Sequence, residues 1–109
     1  IPLPSPSYRV FPHSHYGDWD SDMLVGQTNL WMGLEFFYWL QRVRYDGWCV
    51  LDFFPYREDG LAALAQCIRN TQRMLALSAR LCKSPLPALQ ESADPVAISE
   101  LLWSETIQL

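Results

Sequence analysis

RYDGWCVLDFFPYRED, residues 44–59, is the stretch that decides the fold class implied by the sequence. At its centre, Trp48-Cys49-Val50-Leu51-Asp52-Phe53-Phe54 is a nearly continuous apolar run, closed by Tyr45-Asp46-Gly47 before it and Pro55 after it. A short apolar run without strict alternation, bounded by turn residues, predicts a strand covered on both faces, as in a parallel sheet. Asp52 interrupts the run near its C-terminal end. In parallel α/β proteins that end is where ligands bind, and a carboxylate there needs a cation or hydrogen-bond donors to offset its desolvation. An ion pair with Arg57, or a cap on the following loop, would satisfy Asp52 equally well.

Outward from this run, helical periodicity takes over on both sides. Upstream, Thr28 is a capping residue for a helix expected to reach about Arg44. Its apolar residues Leu30, Trp31, Leu34, Phe37, Tyr38 and Leu40 make so broad a stripe that they nearly encircle it, with Gly33 placed to let a neighbouring element approach closely. Downstream, residues 55–60 read as a loop. Leu61, Leu64, Ala65, Ile68, Leu75 and Leu81 then mark the apolar side of a second helix ending near Cys82. Pro85 and Pro87 interrupt the chain, and Asp94-Pro95, a cap followed by proline at the first helical position, opens a short helix through Trp103. The expected organisation is a proline-rich, poorly ordered segment over 1–15, a folded unit over 16–82, and a linker with a short terminal helix over 83–109. Helix alternating with a doubly covered strand is an α/β pattern, mostly helical, whose remaining strands must come from elsewhere.

Composition narrows the function classes. Half of the 109 residues are hydrophobic and 14% are aromatic, so a substantial surface is meant to be buried. The net charge of −4, with no basic cluster among the aromatic residues, argues against a nucleic-acid partner. The most apolar stretch, Leu30 to Leu40, contains Glu35 and is too short to span a bilayer, so no membrane role is expected. Cys49, Cys67 and Cys82 show no CxxC spacing, and all three are expected as reduced residues of a core or helix face in a cytoplasmic protein. The first residue is Ile1, and the IPLPSPS opening is unlike a signal peptide, so a truncated chain is expected.

Three carboxylates, Asp18, Asp20 and Asp22, alternate in YGDWDSDMLVG. Carboxylates packed this closely repel one another unless a cation or solvent screens them, which points either to a hard divalent metal or to a solvated acidic loop that caps the next helix. The sequence lacks the glycine and the distant glutamate of an EF-hand loop. His13 and His15 form a second possible ligand pair, in a proline-rich setting that favours solvent-exposed side chains.

Taken together, DWDSDMLVG, the aromatic helix, RYDGWCVLDFFPYRED and the long helix after it resemble the last two βα units of xylose isomerase-like TIM (β/α)8 barrels, over residues 16–82. The resemblance implies a sugar isomerase or epimerase parent that acts on a small sugar, with two divalent ions, Mg²⁺ or Mn²⁺, polarising its oxygens. By matching position, it implies Asp20 and Asp22 as ligands of one ion and Asp52 as a ligand of the other. The glutamate and histidine ligands and the catalytic lysine of that family have no counterparts in the chain. An incomplete site with weak or no metal binding, no catalysis by this chain alone, and self-association through its unpaired strand are therefore the expectations. The alternative is a non-catalytic α-helical interaction module, which would use the helix carrying Trp31 and Trp39 to pack against a partner.

Overall fold

The computed structural model describes residues 24–26, 29–52 and 59–107. Four helices follow one another: α1 (Leu30–Arg42), α2 (Gly60–Lys83), α3 (Leu86–Ser92) and α4 (Pro95–Thr106).

Local signals account for where the helices begin and end. Asn29 stands at the start of α1 in the left-handed region at φ 53°, and its carbonyl accepts from the Gly33 N–H at 2.9 Å. The expected cap Thr28 lies outside the described residues. Asp59 caps α2, its Oδ2 accepting from the Ala62 N–H at 2.8 Å, while Arg80 and Lys83 in the last turn complement the negative end of the helix dipole. Ser84 links two helices: its N–H donates to Leu81 O at 3.2 Å, and its Oγ accepts from the Leu86 N–H at 3.1 Å. Ala93, at φ 52°, turns the chain out of α3, and Asp94 caps α4 by accepting from the Ala97 N–H at 3.1 Å.

The structure overturns the α/β expectation. Among the described residues there is no strand and no sheet, so this is a small helical domain and not the end of a TIM barrel. Trp48 to Asp52 run as irregular chain, with Trp48 89% and Val50 85% exposed. The physical reason is that an isolated strand leaves its backbone N–H and C=O groups without a ladder partner, and helices cannot supply one. The segment is instead organised by a turn. Arg44 adopts φ 58°, Tyr45 N donates to Leu40 O at 2.8 Å, and the Tyr45 hydroxyl donates to Trp48 O at 2.9 Å. Phe53 and Phe54 lie outside the described residues. A second correction concerns residues 83–109: the stretch read as a linker contains α3, because Pro85 and Pro87 stand in and before its first turn, where no N–H is needed.

The core forms where α1 lies across the C-terminal half of α2 and is closed by α3. Leu34, Phe37, Tyr38, Met74, Leu81 and Leu86 are its buried members, and Ile98, Leu101 and Leu102 of α4 pack against it. Gly33 allows the close approach that the sequence anticipates, since a Cβ there would stand 2.7 Å from Met74 Cε. Gln41 and Ser78 are satisfied at the crossing, Gln41 Nε2 donating to Leu75 O at 3.0 Å and to Ser78 Oγ, and Ser78 Oγ donating to Leu75 O, whereas the buried Thr71 Oγ1 of α2 has no hydrogen-bond partner among the described residues. Asn70 Nδ2 ties the approach to α1 by donating to Val25 O at 2.8 Å.

Candidate functional site

Leu34, Phe37 and Tyr38 turn one side of α1 inward, yet the opposite side is also apolar. Met32 (69% exposed), Phe36 (57%), Trp39 and Val43 (70%) follow one another at spacings of four, three and four residues. At 100° per residue these four positions fall within a band about 60° wide, centred nearly opposite Leu34. An α-helix that is apolar all round is normally covered all round, and α1 is covered on one side only among the described residues. Phe36 and Phe37, adjacent in sequence, make the contrast plain: their rings meet edge to face at 5.4 Å, but Phe37 is 7% exposed. Trp39 leans on Tyr38 in the same manner at 5.3 Å, and its Nε1 donates to Glu35 Oε1 at 3.4 Å.

A second feature sits between the helices. A cavity of about 260 Å³ opens among α1, α2, α3 and α4, walled by Leu34, Leu81, Leu86, Ile98 and Leu102, with Trp31, Glu35, Tyr38 and Gln90 completing its lining. Trp31 is held at its edge by Trp103 of α4, ring centroids 5.8 Å apart in a T-shaped arrangement. Two of the polar groups in its lining are already engaged with each other, because the Tyr38 hydroxyl donates to Gln90 Oε1 at 2.6 Å. Burial raises the Tyr38 phenol above its ordinary value of 10.0, and the Cys82 thiol nearby opposes ionisation further while Arg42 favours it. Burial likewise raises the Cys82 thiol above 9.0, with Arg42 acting against it. Neither group is prepared for acid–base or nucleophilic work near neutral pH.

Of the acidic, histidine and arginine residues expected to carry chemistry, Asp52 alone lies among the described residues. Asp52 is exposed on the irregular segment and ends no strand, so it lacks the position that made it a metal-ligand candidate. Asp18, Asp20, Asp22, His13, His15 and Arg57 lie outside the described residues. Among the described residues no group of three or more His, Cys, Asp or Glu side chains could hold a metal ion. The cysteines divide: Cys67 is buried and Cys82 half-buried, but Cys49 is exposed on the irregular segment and belongs to neither core nor helix face. What the sequence reading missed is the outer seam of α1. Its signal, the 4-3-4 spacing of Met32, Phe36, Trp39 and Val43, is present in the sequence but merges with the inner stripe. Among the described residues no helix is long and apolar enough to cross a membrane. No protein-family model matches this chain, and no curated protein and no solved structure is significantly similar to it.

Proposed function

We propose that this chain is a non-catalytic helical interaction module that docks a partner protein through the outer face of α1. The observation that carries the reading is the pair of opposed apolar faces on one helix, of which α2 and α3 cover one. A contiguous exposed strip of Met, Phe, Trp and Val is costly in water and is the usual composition of an interface centre, where aromatic residues and Met are enriched and charges depleted. Its geometry suits helix-in-groove or helix-on-helix docking, in which anchors recur at three- and four-residue spacing. α1 is also a firm platform, because Gln41 and Tyr38 hydrogen-bond it to α2 and α3.

A photo-crosslinking side chain placed at position 36 of the full chain, expressed in its cells of origin, tests the reading. A matching probe at Gln72, exposed on α2, is the control. Discrete protein adducts from position 36 and none from position 72 are expected. Equal labelling from both, or no adduct from position 36, would contradict it.

A further inference from the structure

We infer that one occupant of the outer α1 face is a second copy of the same chain, packed antiparallel about a two-fold axis, an inference that rests on the interaction reading above. The seam spacing is the first argument. Met32, Phe36, Trp39 and Val43 follow one another at alternating four- and three-residue steps, the a/d alternation of a helix-on-helix seam, and 4-3-4 reads the same in both directions. An antiparallel copy therefore sets Met32 against Val43 and Phe36 against Trp39, twice over, which is the self-complementarity that a two-fold interface requires.

Charge supplies the second, independent argument. Glu35 and Arg42 are both exposed and lie seven residues apart along the same edge of the seam. In an antiparallel pair that edge faces its own symmetry mate, so Glu35 of each copy meets Arg42 of the other and two opposite-charge pairs form. A parallel pair would set Glu35 near Leu40 and form neither. Glu35 receives the Trp39 indole N–H at 3.4 Å, which holds its carboxylate beside the seam. Exposed ion pairs are individually weak, so the apolar seam supplies the affinity and the charges select the orientation.

Sedimentation equilibrium of the full chain across a wide concentration range tests the association, and charge exchange tests its geometry. A reversible dimer with a dissociation constant on the order of tens to hundreds of micromolar is expected for so small an interface. Phe36→Glu abolishes it. Glu35→Arg weakens it about fivefold, as does Arg42→Glu, and the double exchange restores it, since each single change opposes like charges. Orientation is read by oxidising Glu35→Cys/Arg42→Cys in a Cys49→Ser background. Within one chain positions 35 and 42 are about 10.5 Å apart along the helix, beyond the reach of a disulfide, so a covalent dimer reports the antiparallel pair. A strict monomer at every concentration, failure of the double exchange to restore association, or equal crosslinking by Glu35→Cys alone would overturn the inference. Sedimentation of a monomeric chain with phospholipid vesicles would overturn it in favour of a lipid occupant. A monomer that still gives a heterologous adduct from position 36 would overturn self-pairing while leaving the interaction module standing.

Discussion

The Tyr38 hydroxyl donates to Gln90 Oε1 at 2.6 Å, joining α1 to α3 across 52 residues of sequence. The bond lies at the floor of the inter-helix cavity and fixes the short helix α3, which has few other polar ties to α1. Tyr38→Phe keeps the ring and removes the donor, leaving Gln90 Oε1 unpartnered at a part-buried site. A loss of about 1 kcal/mol is expected, read as a fall in Tm of roughly 4–8 °C for a domain of this size. Tyr38→Ala, which also empties core volume, should cost about 3 kcal/mol or more. Equal effects of the two changes would show that the hydroxyl, and not the ring, holds α1 to α3.

Stability should fall in alkali for an identifiable reason. Burial raises Cys82 and Tyr38 above their ordinary values of 9.0 and 10.0, so in the folded chain both hold their protons to higher pH than in the unfolded chain. Where the unfolded state has released a proton that the folded state retains, stability decreases with rising pH. The contribution is therefore complete below pH 9.0, declines first as unfolded Cys82 ionises, and declines again above pH 10.0 with Tyr38. Urea titrations at a series of pH values measure the slope. Tyr38→Phe should flatten it above pH 10.0, and an unchanged slope would remove Tyr38 from the account.

Two aspartates hold helix starts, and their loss should have local consequences. Asp59 accepts from the Ala62 N–H and Asp94 from the Ala97 N–H, each satisfying an N–H with no partner inside its helix. Replacing either by Ala should cost about 1 kcal/mol, whereas Asn should cost little. Amide hydrogen exchange would show the change confined to the first turn of the helix concerned. Protection lost throughout both helices would mean that the caps support the whole fold.

Helices were far more legible in the sequence than the fold class. The stripe through Leu64, Ile68, Leu75 and Leu81 and the Asp94-Pro95 start identify α2 and α4 as helices because capping chemistry and 3.6-residue periodicity are local, but of that stripe only Leu81 is buried, and α2 turns Ala63, Cys67, Met74 and Ser78 inward instead. Trp48 to Asp52 misled for the opposite reason. A short apolar run between turn residues has no periodicity of its own, and whether it pairs depends on strands elsewhere in the chain. α3 escaped notice because prolines that break a helix interior are tolerated in its first turn, and Pro85 and Pro87 stand on that boundary. The site was least legible. Phe36 and Phe37 look alike in sequence, and only the packing of α1 on α2 separates the covered ring from the open one. Asp52 was singled out on the strength of a strand end that does not exist.

The central claim, that α1 has one face for folding and one for docking, is tested most directly by comparing Phe36→Ala with Phe37→Ala. Equilibrium denaturation is measured at low micromolar concentration, where self-association adds little to stability. Phe37→Ala should cost about 3–5 kcal/mol, the range for emptying an aromatic core position. Phe36→Ala should cost about 1 kcal/mol or less, because its ring is already open to water and loses only its edge contact with Phe37. A cost at Phe36 equal to that at Phe37 would mean that the outer face is covered within the folded chain itself, and would contradict the docking role assigned to it.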